Sequence, residues 1–484
     1  MWKICRLCLA CLVLVGFVFL FLDQSEHSVL ATDLAWLAKI QLVPAIVAGS
    51  VGIVFCILAV TLVYGRIYCS LVCPLGLLQD VLLSFRKKRS YRFQKALPLL
   101  RYGLAILFFL SLALGLPIVF DALEPYSAFG RIMSSLGEPI ATLVNNGLDF
   151  ISQGKTDFLS PKPFFIHGQA ALILAVLTLV LLIWMSTKGR VWCNTICPVG
   201  TLLGFLSKFA LFRPRIDKNA CTHCGQCARH CKANCIDSHE GTIDASRCIS
   251  CYNCLDACAF HALSLSATKE KTPHSPSMER RAAITAIGLG TLGLVAPQNA
   301  LSEAKKSEAE ILALAYKDRR DHKSPLLPAG AISLNHFMYA CTACQLCVAA
   351  CPSRILSSFD HGYGLFQPEL GFERGFCRPE CVVCGTVCPT GAITRKSIEE
   401  KSVIQIGRAS VDYERCVVRK DNVPCTACQR NCPTEAISLV GEDKLKVPSV
   451  NPEKCIGCGA CEFFCPARPV AAITVEANIS HRIL

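Results

Sequence analysis

The sequence predicts a membrane α-helical bundle joined to small, cysteine-rich α+β domains. Three observations predict it. The 484 residues are 52% hydrophobic with a mean hydropathy of +0.43, too apolar for a protein that meets only water. Long apolar stretches crowd into the first 190 residues. And 24 of the 33 cysteines fall into six groups of four with a recurring spacing.

The apolar stretches run over 4–22, 42–64, 97–120 and 169–185. Each is about long enough to cross a bilayer core as a helix, so four spans are expected. The segment 65–101 carries eight cations, Arg66 and Arg101 among them, against Asp80 alone, and the segment after the fourth stretch is also basic. The other two loops lean acidic, with Asp23, Glu26 and Asp33 in one and Asp121, Glu124, Glu138, Asp149 and Asp157 in the other. Cations collect on the cytoplasmic side, which puts both ends of this module there. A cleaved signal peptide is the alternative reading of the first stretch, but its apolar region is long and more spans follow. The net charge of +13 belongs to this topology and not to nucleic acid, because the basic residues form no face interleaved with aromatics.

The expected organisation is a four-helix membrane module over 1–215 and a cysteine-rich domain over 216–266. A linker and apolar segment follow over 267–300, then a charged linker over 301–335 and a second cysteine-rich domain over 336–484. The run Met278-Glu-Arg-Arg before apolar residues to Val295 resembles a twin-arginine export signal. Without a clear cleavage site it reads as a fifth span, which carries the last domain to the periplasm.

Four cysteine groups repeat C-x2-C-x2-C-x3-C: Cys221, Cys224, Cys227, Cys231; Cys248, Cys251, Cys254, Cys258; Cys341, Cys344, Cys347, Cys351; and Cys455, Cys458, Cys461, Cys465. Two are variants: Cys377, Cys381, Cys384, Cys388 and Cys416, Cys425, Cys428, Cys432. This is bacterial-ferredoxin spacing, in which three close thiolates hold three corners of a [4Fe-4S] cubane and the fourth serves the partner cluster. Six [4Fe-4S] clusters and ferredoxin-like domains are therefore expected. Cys258 would complete the set of Cys221, Cys224 and Cys227, and Cys231 that of Cys248, Cys251 and Cys254. In the last domain the groups pair either one with two and three with four, or one with four and two with three. Zinc motifs come as two separated pairs, and disulfide scaffolds are small and secreted, so neither fits.

A second motif lies in the apolar module. Arg66-Ile-Tyr-Cys69-Ser-Leu-Val-Cys73-Pro-Leu-Gly recurs 124 residues on as Arg190-Val-Trp-Cys193-Asn-Thr-Ile-Cys197-Pro-Val-Gly. The module therefore looks duplicated, and Cys69, Cys73, Cys193 and Cys197 are candidates for a further metal site or a redox-active dithiol pair. Cys5, Cys8, Cys11 and Cys56 read as apolar fillers, and Cys235 as a reserve ligand at best. No C-x-x-C-H, paired span histidines, P-loop or dinucleotide loop appears, and nothing resembles a catalytic substrate site.

On Cys69, Cys73, Cys193, Cys197 and the cysteine-rich unit that follows, the first 260 or so residues resemble the NapH family. From about 278 onward, the twin-arginine start and four cluster motifs are similar to NapG/MauM ferredoxin-type proteins. The resemblance implies a multi-pass protein of the inner membrane that contacts lipid. It would pass electrons from menaquinol or ubiquinol to a periplasmic reductase or cytochrome of the nitrate-reductase kind, as a quinol-dehydrogenase component rather than a stand-alone catalyst. A maturation or regulatory factor, supplying electrons to another enzyme's metal centre, is the alternative. The absence of proline after Cys231 and Cys258, and the fusion itself, depart from the families' pattern.

Overall fold

The computed structural model describes residues 2–23, 29–85, 90–152, 164, 168–266, 324–360, 362, 364–441 and 445–484. The principal helices are α1 (Trp2–Leu22), α2 (Val51–Tyr64), α3 (Pro74–Ser84), α4 (Pro98–Leu114), α5 (Pro117–Leu123), α6 (Pro125–Ile132), α7 (Gln169–Ser186) and α8 (Pro198–Ser207). Five of them begin with proline, whose fixed φ and missing N–H suit a helix's first position.

The expected spans change in two places. The stretch 42–64 divides into a short helix, Leu42–Val47, and α2, because Gly49 adopts φ 66° between them. The stretch 97–120 ends α4 at Gly115, which takes the left-handed conformation of a helix cap, and Pro117 then starts α5 in a new direction. Among the described residues, two helices are long and apolar enough to cross a membrane, Lys3–Leu22 and Gln169–Ser186. α2 and α4 are apolar but shorter, at 14 and 17 residues. The twin-arginine segment and the proposed fifth span lie outside the described residues.

The cysteine-rich domains are built from short helices and two-stranded antiparallel sheets. In the first, Arg213–Ile216 pairs with Leu263–Ser266 and closes the domain end to end. In the second, Leu356–Ser358 pairs with Pro368–Leu370, Ile404–Val411 with Ile473–Ile483, and Ile437–Val440 with Val447–Val450.

The two domains sit at opposite ends of the bundle. α1 begins against the first, where Lys3 pairs with Asp256 at 3.1 Å. Its other end buries Phe17 and Phe21 against Tyr126 and Phe129 of α6, with ring centroids 5.8–6.2 Å apart. α4 begins where Arg101 donates to the Ser246 carbonyl at 2.8 Å, and it ends with Gly115 against the Tyr339 ring. α7 runs the other way, from amides that donate to Asp360 to a turn whose Arg190 amide donates to the Lys232 carbonyl at 2.7 Å. At 17 and 18 residues, α4 and α7 are about 26 and 27 Å long.

Candidate functional site: grouped cysteines and a duplicated motif

In the first domain, Cys221, Cys224, Cys227 and Cys258 line one small cavity. Cys231 lies instead with Cys248, Cys251 and Cys254. The cross-over is topological: each group's fourth cysteine follows a short helix, Gln226–Arg229 or Asn253–Ala257, and that helix carries it to the neighbouring group. Cys235, read from sequence as a spare, is buried with its sulfur 3.5 Å from that of Cys231.

The second domain resolves the pairing left open by the sequence. Cys388 lies with Cys341, Cys344 and Cys347, and Cys351 with Cys377, Cys381 and Cys384. Cys416, Cys425, Cys428 and Cys465 line a second small cavity, and Cys432 lies with Cys455, Cys458 and Cys461. The groups therefore pair one with two and three with four. The two pairs join where the Cys377 amide donates to the Cys458 carbonyl at 2.9 Å.

The surroundings suit anionic sulfur. Backbone amides of Ala343, Ile393, Ala436 and Ala472 donate to the sulfurs of Cys341, Cys388, Cys432 and Cys465 at 3.3–3.4 Å. Such bonds stabilise thiolate and tune the potential of a bound cluster. Lys401 is buried and donates to the carbonyls of Arg378, at 2.7 Å, and Cys381. Burial alone would lower its ammonium, but the Cys377, Cys384 and Cys381 thiolates outweigh that and raise it above the ordinary lysine range. Nothing in the spacing of the motifs singles Lys401 out.

The four C-x3-C-P cysteines are buried and lie near one another at the centre of the helical module. Around them runs a polar lattice in which one contact is reciprocal between the two copies of the motif. Arg66 donates to the Cys193 carbonyl at 3.1 Å and Arg190 to the Cys69 carbonyl at 2.7 Å. Arg190 also forms a 2.7 Å ion pair with Asp80, which Lys232 approaches at 3.2 Å. Burial alone would raise the Asp80 carboxyl, but the two cations outweigh it and hold it below the ordinary carboxylate range. Arg66 and Arg101 both reach Ser246, two residues before Cys248, so the lattice touches the first domain directly. Both arginines counted at sequence level among the loop charges are thus buried structural groups. Their signal was visible in one place: Arg66 and Arg190 each precede the first cysteine of their motif by three residues. Among the described residues, no three His, Cys, Asp or Glu side chains converge to hold a single metal ion. A cubane spreads its thiolates around a larger body.

Comparisons with known proteins agree with this chemistry. A family model described as a 4Fe-4S binding domain matches residues 46–92, 169–219 and 380–397; the first two matches contain the two C-x3-C-P motifs. Models described as 4Fe-4S dicluster domains match 244–355 and 423–468. The former joins two motifs that the fold places at opposite ends of the bundle. No solved structure matches. The chain is similar to the methylamine utilization ferredoxin-type protein MauM of Methylorubrum extorquens, 32% identical over 209 residues, which are 40% of this chain and 86% of that protein. It is 34% identical to ferredoxin-type protein NapG of Escherichia coli over 167 residues, 32% of this chain and 71% of that one. With NapF of the same organism it shares 32% identity over 152 residues, 30% of this chain and 82% of that one. Cysteine groups that close into four-thiol sets, and relatives matched over most of their own length, give one answer: the chain belongs to the MauM/NapG family of ferredoxin-type iron–sulfur proteins, whose work is electron transfer.

Proposed function

We propose that this protein is a multi-pass membrane electron carrier that draws electrons from quinol and delivers them to a periplasmic reductase of the nitrate-reductase type. Six [4Fe-4S] clusters, held by the 24 grouped cysteines, would each accept and pass one electron when bound. The observation that carries the reading is the placement of two cysteine-rich domains at opposite ends of α1, α4 and α7. In this reading α1, α2, α4 and α7 cross the membrane, the first domain faces the cytoplasm and the second the periplasm.

The residues supply a route. Cys231, Cys248, Cys251 and Cys254 sit beside the Arg66 lattice, and the C-x3-C-P cysteines lie inside the bundle as an intermediate redox or metal site. On the far side Cys341, Cys344, Cys347 and Cys388 rest on α6, where Ser127 donates to the Thr342 carbonyl. The sets of Cys377 and Cys458 follow, and the set of Cys416, Cys425, Cys428 and Cys465 lies last and faces the acceptor.

The full chain, purified anaerobically in detergent, should contain about twenty-four irons, four for each cubane. Its paramagnetic signals should appear on titration with menaquinol. Full iron with no response to quinol would replace this reading with the maturation role. Far fewer irons would remove the six-cluster assignment.

A further inference from the structure

A cavity of about 480 Å³ lies between α1, α3 and the first cysteine-rich domain. Its lining is mixed. Leu7, Cys11 and Leu14 of α1 and Leu77 and Val81 of α3 supply apolar walls, and Asp80, Lys232, His230 and Arg6 add a few polar groups. This volume and composition suit an amphipathic small molecule: pockets of 300–1,000 Å³ with apolar walls and a few convergent polar groups are the usual form. Leu7 and Cys11 are exposed on α1, one of the two helices long enough to span a membrane, so the apolar wall continues onto a surface suited to lipid.

The charged part of the lining is largely neutralised from within. Lys3, also at the cavity, pairs with Asp256 at 3.1 Å and Lys232 with Asp80 at 3.2 Å. Arg6 donates from Nη1 to the Ser70 carbonyl at 3.1 Å. Cations spent in this way do not ask for an anionic headgroup. Arg6 itself is only 6% exposed, and its Nε is closed off from the cavity. Lys232 directly follows Cys231, and Asn253, also lining the cavity, directly precedes Cys254. A ring held here would therefore lie beside a four-thiol set.

We infer that this cavity binds the headgroup of a membrane quinol, with its isoprenoid tail leaving along the Leu7–Cys11 face of α1. The inference rests on the quinol-oxidising reading above and gives it a location. Bound hydroquinone would lose two electrons and two phenolic protons to become quinone. The two electrons would be taken up, one each, by the clusters that the two four-thiol sets of the adjoining domain would hold, and both protons would go to water past the exposed His230.

The test uses the full chain loaded with iron and decylubiquinol as probe. Leu7→Trp and Val81→Trp fill the cavity from its two walls, and Leu12→Trp, 69% exposed on α1 and outside it, is the control. The filled variants should raise the KM for decylubiquinol about tenfold or more, equivalent to about 1.4 kcal/mol of lost binding. Iron content and reduction by dithionite should match wild type, and Leu12→Trp should behave as wild type. As a measurement independent of any substitution, an azidoquinone photolysed on wild type should label residues 3–14 or 77–84. A KM within twofold of wild type in both filled variants, or labelling confined to other segments, would overturn the site while leaving quinol as donor. A phospholipid retained in the cavity and not displaced by decylubiquinone would also overturn it. Failure of decylubiquinol and menaquinol to reduce wild type would remove the functional reading as well.

Discussion

Arg190 donates to the main-chain carbonyl of Cys69 at 2.7 Å, across the seam between the two copies of the C-x3-C-P motif. Arg66 returns the contact to the Cys193 carbonyl at 3.1 Å. Each arginine thus clamps the other copy's first cysteine, and the duplicated sequence becomes a reciprocal pair in space. The glycine that ends each motif makes this close approach possible. A Cβ on Gly76 would lie 2.4 Å from the Cys69 carbonyl oxygen, and one on Gly200 would lie 2.3 Å from that of Cys193.

Removing one clamp should therefore be costly. Arg190→Met leaves Asp80 with Lys232 as its one cationic partner and leaves the Cys69 carbonyl short of a donor. Breaking a buried ion pair from one side costs roughly 3–5 kcal/mol. Thermal unfolding of the detergent-solubilised protein should show that loss, and Gly76→Ala should lower stability in the same direction. A melting temperature unchanged by Arg190→Met would mean the clamp is ornamental.

The pairing of groups one with two predicts how iron is lost. Cys388→Ser and Cys341→Ser strike the same four-thiol set, so the double variant should lose no more than either single, about four irons. Cys388→Ser with Cys455→Ser strikes two sets and should lose about eight. The nested pairing would make the first double variant lose about eight, and iron analysis separates the two.

Lys401 should raise the reduction potential of the cluster held by Cys377, Cys381, Cys384 and Cys351. Its charge is buried beside those sulfurs, and reduction adds negative charge there. Lys401→Met should lower that potential by on the order of 50 mV, read by a redox titration followed by EPR. An unshifted potential would limit Lys401 to holding the Arg378 and Cys381 carbonyls.

The cysteine groups were legible in sequence because cubane chemistry favours a fixed local spacing, and four of the six groups place three thiols within seven residues; the pairing in the last domain was not. The crossed sharing of Cys231 and Cys258 follows from the same local rule. The alternation of apolar stretches identified the helical module, but not that Gly49 and Gly115 would break two of its stretches, since one left-handed residue outweighs a long apolar run. What spacing cannot encode is docking. The seat of Cys341–Cys347 on α6, the Arg66–Cys193 contact and the approach of Lys401 to Cys377 each join residues from 24 to more than 200 positions apart. Their partners are set by tertiary packing, and a count of loop charges misreads Arg66 and Arg101 for that reason.

His481 gives a pH dependence with a definite sign. It is partly buried with both ring nitrogens unpartnered, and burial lowers its pKa from 6.5 to about 4. The folded protein therefore holds the ring neutral while the unfolded chain protonates it. No cost arises above pH 6.5; stability falls as pH drops from 6.5 towards 4, by up to about 3 kcal/mol. His481→Phe should flatten that part of the stability profile. Parallel profiles for the variant and wild type between pH 7 and 4.5 would refute the assignment.

The last prediction concerns the joint between bundle and second domain. Gly130 sits in α6 with its Cα against the Cys344 carbonyl, and a Cβ there would lie 2.0 Å from that oxygen. Ser127, one turn earlier, donates to the Thr342 carbonyl, so α6 presents a small, polar face to the loop that carries Cys341 and Cys344. Gly130→Val must push the loop away, because backbone on both sides of the contact cannot turn aside as a flexible side chain does. The second domain has its own sheets and cysteine sets, so it should stay folded and keep its iron. Tunnelling between redox centres falls steeply with distance, so the variant should retain full iron and normal reduction by dithionite while quinol-driven reduction of the second domain slows sharply. Equal quinol-driven rates in Gly130→Val and wild type would show that electrons do not pass through the α6 joint.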